Sequence, residues 1–265
     1  MNNTKVTKNS RISKLPKMLQ PFAVFLRDKL LKSLIKRMPQ KPNQYRYHFD
    51  GVATNNNVDF MEEPEFLTAY NEFKKAYSWD PGLPWRVHQF QWAVRQTQKV
   101  SGDWVEVGVG RGGLMSSALA TYPDWNSSER TLHLFDTFLP WKLNDRGEND
   151  PNLGSYNYYA KDAEETKSTF DKYDRICFHI GNVFSTIPAI DIKSIAFLSI
   201  DLNHAAAEEH ALTNLFPLLS PGAVVILDDY AAARRDAQRI TMDKLASKLG
   251  FSILRTPSGQ GIFLK

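Results

Sequence analysis

Residues 103–113 read DWVEVGVGRGG, an apolar segment followed at once by a glycine-rich turn. The apolar part is typical of a buried strand. The turn contains four glycines, Gly108, Gly110, Gly112 and Gly113. Glycine suits such a turn because, without a Cβ, it accepts positive φ and lets a ligand approach the backbone. Residues 114–121 have helical spacing, so the turn leads to a helix N-terminus with free N–H groups and partial positive charge. Together these features predict a nucleotide-type cofactor site.

Apolar strand-like segments and helical segments alternate along the rest of the chain. Further strands are predicted at 131–135, 175–179, 195–200 and 223–227, and helices near 161–173, 205–219 and 233–249. Such alternation predicts a parallel, doubly wound sheet. The last two apolar segments, 251–255 and 261–264, are joined by a tight turn and must pair antiparallel. We therefore predict an α/β fold, a Rossmann-like, mostly parallel seven-stranded sheet with a C-terminal antiparallel hairpin and an N-terminal helical appendage.

The N-terminal part of the chain differs from the rest in charge. The net charge is +4, but the first fifty residues alone hold twelve Lys and Arg against two acids. We predict a disordered basic tail at 1–17. Residues 18–85 are predicted to be a helical appendage or lid, with a loop over 39–60 and a helix near 63–77.

The segment 19–38 has the pattern of a basic amphipathic helix. It can pack on its own domain or on the mate in a homo-oligomer, or it can lie on an anionic membrane surface or an acidic partner. Nucleic acid is not expected, because no aromatic-interleaved basic groove accompanies the charge.

The single cysteine, Cys177, fits a reducing compartment, and no apolar run reaches the ~20 residues of a membrane span. We expect a cytoplasmic protein, with peripheral contact at the inner face of a membrane as an open alternative.

Two carboxylates flank the predicted cofactor turn. Gly108, Gly110 and Gly113 satisfy the dinucleotide fingerprint literally, but that signal is weak alone. Glu106 precedes the turn by two residues, and its carboxylate suits the ammonium group of S-adenosylmethionine while offering nothing to a pyrophosphate. Asp136 ends the second core strand, where its oxygens can accept hydrogen bonds from ribose hydroxyls.

A second group of acids ends the later strands. Asp201 ends the fourth core strand, and Asp228 and Asp229 end the fifth. Adjacent strands lie ~4.8 Å apart, so these carboxylates should converge, repel one another and favour a divalent cation, Mg²⁺ first. The alternative for Asp228 and Asp229 is capping of the next helix.

Histidine near the same edge can take part in proton transfer. His204 follows Asp201 by three residues and should face the cofactor edge, where it can take a proton from a substrate hydroxyl. Asp201 and His204 are thus the predicted catalytic residues, although a lone histidine is more often structural. His133, His179 and His210, within strands or a helix, are interpreted as structural.

Several motifs together resemble the macrocin O-methyltransferase (TylF-like) family. They are VEVGVGRGG (105–113), FDTF (135–138), the Asp201 block, LFPLLSPGAVVILDDY (215–230) and the C-terminal hairpin. The resemblance covers about 85–265 and implies a class I S-adenosylmethionine methyltransferase domain at 86–265. Family members are Mg²⁺-dependent O-methyltransferases that act on sugars of macrolide and aminocoumarin glycosides.

The resemblance also assigns roles to individual residues. It implies Asp201, Asp228 and Asp229 as metal ligands, and it implies a histidine base at His204. It implies that the cofactor is held by Glu106, Gly108, Asp136 and Thr137, with Gly181 and Asn182 near the adenine. Gly110, Gly112 and Asp201 complete the predicted cofactor contacts. The block 203–207 departs from the family pattern, since Asn203 replaces a second acid and three alanines follow His204.

We therefore predict an S-adenosylmethionine- and Mg²⁺-dependent O-methyltransferase whose acceptor is a sugar hydroxyl of a glycosylated metabolite or polysaccharide. The alternatives are a catechol-type small-molecule O-methyltransferase, an NAD-dependent oxidoreductase and an inactive cofactor-binding scaffold.

Overall fold

A computed structural model describes residues 45–77, 79–138 and 160–265. Residues from Tyr45 to Lys265 belong to one structural unit. The predicted tail at 1–17 and the predicted helix at 19–38 lie outside the described residues, as does 139–159 of the loop after the second core strand. No helix in the described part of the chain is both long and apolar enough to cross a membrane.

The main sheet contains seven strands and confirms the predicted fold class. In chain order its strands are β3 (Asp103–Val107), β4 (Leu132–Asp136), β5 (Ile176–Ile180), β6 (Ile195–Ile200), β7 (Leu219–Leu227), β8 (Leu254–Arg255) and β9 (Gly261–Leu264). Their spatial order is β5-β4-β3-β6-β7-β9-β8. The first five strands of that order are parallel, and β9 runs antiparallel to both β7 and β8.

Helices cover both faces of this sheet. They are α1 (Pro64–Lys75), α2 (Pro84–Thr97), α3 (Gly113–Ala120), α4 (Ala163–Phe170), α5 (Val183–Thr186), α6 (Ala205–Leu215) and α7 (Asp236–Leu249). Every residue of β6, IAFLSI, is buried, because this strand lies in the middle of the sheet and has a hydrophobic cluster on each face. A continuous apolar run is what such a two-sided position requires.

The region before α1 corrects the sequence prediction of a loop over 39–60. Two short strands, β1 (Tyr47–Phe49) and β2 (Val52–Thr54), form an antiparallel hairpin. Its turn is Asp50-Gly51, with φ of 49° and 72°, and positive φ at both residues is the signature of a two-residue type I′ turn. The Asp-Gly pair in the sequence is the local signal for this hairpin, and Tyr47 is buried beneath it.

The strand β7 also begins earlier than the predicted 223–227. It includes Pro221 and Gly222, residue types that are uncommon inside strands. A register shift between β6 and β7 accommodates them, because the pairing passes from Ile195–Leu219 directly to Phe197–Val224.

Two glycines of the 108–113 turn are required by the protein's own packing. Gly108 has φ of 87°, and a Cβ there would lie 1.9 Å from the carbonyl oxygen of Asp201. Gly112 is the left-handed N-cap of α3, and a Cβ there would lie 2.5 Å from the Phe170 ring. The turn can therefore pass between β6 and α4 only without side chains at these positions.

We expect Gly108→Ala to lower the free energy of unfolding by about 2–5 kcal/mol, because overpacking of about 1–3 kcal/mol adds to a positive-φ penalty of about 1–2 kcal/mol. The matched control is Gly51→Ala, where φ is also positive but a Cβ would meet nothing within 4 Å. Urea unfolding of both variants measures the difference. Equal losses in the two variants would contradict a steric role for Gly108.

Candidate active site

A cavity of about 620 Å³ opens at the carboxyl ends of β3 to β7. It brings together nearly all the residues predicted from the sequence. They are Glu106, Gly108, Gly110, Asp136, Thr137, Gly181, Asn182, Asp201, His204, Asp228 and Asp229. Gly112 does not line the cavity, since its role is the packing against Phe170. The lining also includes Asp50, Arg86 and Arg235, which the sequence analysis did not identify.

Asp136 organises the glycine turn. Its Oδ2 accepts hydrogen bonds from the amide nitrogens of Val109 (2.8 Å) and Gly110 (2.9 Å). Its Oδ1 accepts one from Phe138 N at 2.9 Å. The carboxylate thus fixes the turn against the end of β4, and the two turn amides are already engaged by an anion of the protein.

Glu106 is a buried carboxylate inside this cavity. Its side chain is only 3% exposed, and its Oε2 has no hydrogen-bond partner among the described residues. Burial raises the pKa of Glu106 well above its usual range, and the nearby charges of Asp136 and Asp228 raise it further. An unpaired buried carboxyl that faces a cavity is a site for a cationic ligand, because a cation both neutralises it and supplies hydrogen-bond donors.

Three more carboxylates, which follow β6 and β7, line the same cavity, as the strand order predicts. Burial raises the pKa of Asp201 well above its usual range, with further contributions from Asp228 and Asp229. Burial and Asp228 likewise raise the pKa of Asp229. The negative charge of this cluster therefore needs a counter-charge.

Arg86, at the start of α2, supplies part of that counter-charge. Its Nη1 pairs with Asp228 Oδ2, and its Nε donates to Asp50 Oδ2 at 2.8 Å. The other oxygen of Asp228 accepts a hydrogen bond from Gln260 Nε2 at 2.6 Å. Burial alone would lower the pKa of Arg86, but the charges of Asp228 and Asp50 raise it, so the side chain stays charged. Arg86 ties the β1–β2 hairpin to the end of β7.

A second arginine contacts the other aspartate of the pair. Arg235 Nε lies 3.1 Å from Asp229 Oδ2, but the approach lacks hydrogen-bond geometry and this oxygen has no hydrogen-bond partner among the described residues. Arg235 also donates to the side-chain oxygen of Asn203, whose Nδ2 donates to Asp201 at 3.1 Å. Asn203, with φ of 57°, thereby links Asp201 to Arg235 in the block that departs from the family pattern.

His204 lines the cavity and is also the N-cap of α6. Its Nδ1 accepts a hydrogen bond from Ala207 N at 3.2 Å. A ring nitrogen that accepts is unprotonated, so in the neutral ring the proton lies on Nε2. The lone pair that a base needs is therefore the one that the cap hydrogen bond engages.

One further acid behind the cavity was not identified from the sequence. Glu208 on α6 is buried, and burial, with the charge of Asp229 next in size, raises its pKa to about 8. Its neighbour in sequence, Glu209, is exposed. Helical spacing alone does not distinguish these two glutamates, because the distinction depends on how α6 packs.

The three aspartates are a suitable donor set for a hard divalent cation, which prefers oxygen ligands. Asp229 Oδ2 is buried and accepts no hydrogen bond in the described part of the chain, although it forms an ion pair with Arg235. Within the described residues, no choice of one carboxylate oxygen from each of Asp201, Asp228 and Asp229 brings all three oxygens within 4.8 Å of one another. Arg86 contacts Asp228 and Arg235 contacts Asp229. Binding of one ion by all three aspartates therefore requires both arginines to move away.

Comparison with known proteins identifies a family. The TylF macrocin-O-methyltransferase family model matches residues 84–254. One curated relative is the 8-demethyl-8-(2,3-dimethoxy-alpha-L-rhamnosyl)-tetracenomycin-C 4'-O-methyltransferase of Streptomyces olivaceus, 29% identical over 62% of this chain and 66% of the relative. Another is the mycinamicin III 3''-O-methyltransferase of Micromonospora griseorubida, 30% identical over 55% of this chain and 62% of the relative. The matched region thus spans less than two thirds of either relative.

Among solved structures, the O-methyltransferase NovP superposes with a TM-score of 0.59 at 24% identity. The match covers 74% of this chain and 88% of NovP. This likeness supports the class I methyltransferase fold that the strand order already indicates.

Proposed function

Because the chain belongs to the macrocin O-methyltransferase (TylF) family, we propose that it transfers a methyl group from S-adenosylmethionine to a sugar hydroxyl of a glycosylated metabolite or polysaccharide. The observation that carries this proposal is the unpaired carboxyl of Glu106 in the same cavity as the aspartate cluster. The Glu106 carboxyl suits a cationic cofactor, and the polar groups at the ends of β6 and β7 suit a hydroxylated acceptor.

The residues around Glu106 would bind the cofactor. The Glu106 carboxylate would accept hydrogen bonds from the ammonium group, and Asp136 retains lone pairs for ribose hydroxyls. Bound S-adenosylmethionine supplies an electrophilic methyl group on its sulfonium. The chain's main contribution is then to align the acceptor oxygen with that carbon and to exclude water.

The same contacts argue against the NAD-dependent alternative. In a dinucleotide site the amides of the glycine turn and the helix N-terminus receive the pyrophosphate. Here the Val109 and Gly110 amides donate to Asp136, and Glu106 adds a second carboxylate nearby. An anionic pyrophosphate would meet like charge, whereas a sulfonium and an ammonium meet opposite charge.

The polar side of the cavity favours a sugar over a catechol. Asp50, Arg86 and Asp228 form a connected group of hydrogen-bonding side chains at this side. Such groups match a polyhydroxylated ring better than a flat aromatic one, which needs an apolar slot. A tritium-labelled methyl donor and a panel of rhamnosylated acceptors, their aglycones and catechols test this choice, and transfer only to catechols would contradict it.

We further propose that Mg²⁺ is held by Asp201 and Asp229, with Asp228 joining when Arg86 releases it. Its contribution would be to lower the pKa of the acceptor hydroxyl. The all-oxygen donor set supports this assignment, as does Asp229 Oδ2, which is buried with no hydrogen bond from the described residues.

We expect Asp229→Asn to abolish Mg²⁺-stimulated methyl transfer while changing the affinity for S-adenosylmethionine by only a few-fold, because Glu106 and Asp136 are untouched. Asp236→Asn, at an exposed aspartate on the first turn of α7, is the matched control. Transfer rates with Mg²⁺ and with EDTA, beside calorimetric cofactor titrations, measure both effects. Full activity of the unsubstituted chain in EDTA would refute the metal assignment.

His204 remains the predicted base. Because its side chain also caps α6, the test must separate loss of the base from loss of the cap. His204→Asn keeps a good capping side chain but cannot take a proton, whereas His204→Ala loses both functions, the cap alone being worth about 0.5–2 kcal/mol. We expect transfer in His204→Asn to fall at least about 100-fold at neutral pH with little change in melting temperature, since general base catalysis contributes 10²–10⁴-fold. Near-normal transfer in His204→Asn, with loss only in His204→Ala, would make His204 a capping residue.

A further inference from the structure

Two histidines and the chain's single cysteine meet on one face of the sheet, away from the cavity. His133 lies on β4, and Cys177 and His179 lie on the edge strand β5. His133 is directly opposite Cys177 in the parallel pairing, and Cys177 and His179 are two residues apart, so all three side chains point to the same face. None of the three lines the cavity of the candidate active site.

The ligand atoms of these residues are close together. One ring nitrogen from each histidine and the Cys177 sulfur all lie within 4.8 Å of one another. His133 Nδ1 is 2.9 Å from His179 Nε2. In the described part of the chain, this is the one group of three or more His, Cys, Asp or Glu residues that satisfies this spacing.

The surroundings hold the two histidine rings in place. The other nitrogen of His133, Nε2, lies 3.4 Å from Asp103 Oδ2 on β3. The His179 ring stacks on Phe135, with 4.2 Å between ring centroids and 10° between planes. A carboxylate on the far nitrogen of a histidine is the usual outer partner of a metal-binding imidazole, because it fixes the ring and raises its basicity.

We propose that His133 Nδ1, His179 Nε2 and the Cys177 sulfur bind one zinc-like transition-metal ion on the outer face of β4 and β5. Two imidazoles and a thiolate are ligands that favour Zn²⁺ over Mg²⁺ or Ca²⁺. Tetrahedral Zn²⁺ with Zn–N of about 2.0–2.1 Å needs the two nitrogens about 3.4 Å apart, so the rings need to separate by only about half an ångström. Cys177 is exposed, which gives the ion a path from solvent and leaves room for a fourth ligand such as water.

Such an ion would join the outermost strand of the sheet to its neighbour. Among the described strands, β5 pairs with β4 alone, and it leads directly to Gly181 and Asn182 in the cavity lining. We therefore expect the ion to stabilise this edge of the fold, without a part in methyl transfer.

Cobalt provides a direct test because Cys177 is the only cysteine in all 265 residues. Co²⁺ bound to a thiolate has a near-ultraviolet charge-transfer absorption, which in this chain can come only from Cys177. We expect this absorption in the full chain at one equivalent of Co²⁺, its displacement by Zn²⁺, and its persistence in Asp229→Asn, where the acidic cluster is disabled. We also expect Zn²⁺ to raise the melting temperature.

Substitutions assign the ligands. Cys177→Ser should abolish the absorption, and both Cys177→Ser and His179→Gln should weaken Zn²⁺ binding at least about tenfold. His48→Gln, at an exposed histidine on β1, is the matched control and should leave binding unchanged. The proposal is refuted if Co²⁺ gives no thiolate absorption in the unsubstituted chain, or if Zn²⁺ affinity is the same with and without Cys177 and His179.

Discussion

The candidate site depends on the balance of charge among the carboxylates buried at the ends of the parallel strands. Glu106, Asp201, Asp228 and Asp229 all face one cavity, and burial together with their mutual repulsion raises the pKa values of Glu106, Asp201 and Asp229. Arg86 and Arg235 form ion pairs with Asp228 and Asp229, whereas Glu106 forms no ion pair with another described residue. The Glu106 side keeps an unpaired carboxyl, and this asymmetry explains where a cationic cofactor would bind.

The arginines also connect the site to the parts of the chain that surround the sheet. Arg86 bridges Asp228 on the sheet to Asp50 in the turn of the β1–β2 hairpin. The hairpin thus contributes a charged group to the cavity, although it precedes the methyltransferase domain predicted at 86–265. A polar acceptor bound at Arg86 would compete for these same hydrogen bonds.

The fold was predictable because its signals are local. Apolar runs such as 195–200 mark the buried strands, and the acids that follow them necessarily meet at one edge of a parallel sheet. The Asp50-Gly51 turn was also a local signal, but its short flanking strands are weakly apolar and were interpreted as a loop. The partners of Arg86 could not be predicted, since Asp228 is 142 residues away and only the packing of α2 brings them together. For the same reason, the sequence did not reveal that His133 lies beside Cys177 and His179, and each of these residues was interpreted on its own.

The central claim is that the buried Glu106 carboxylate binds the ammonium group of the cofactor. Calorimetric titration of the unsubstituted chain and of Glu106→Gln, each with S-adenosylhomocysteine and with an analogue lacking its amino group, tests this directly. We predict that Glu106→Gln weakens S-adenosylhomocysteine binding about 10- to 100-fold, since a hydrogen bond to a charged group contributes about 1.5–3 kcal/mol, and hardly changes binding of the deaminated analogue. Equal losses for both ligands, or no loss for either, would contradict the account.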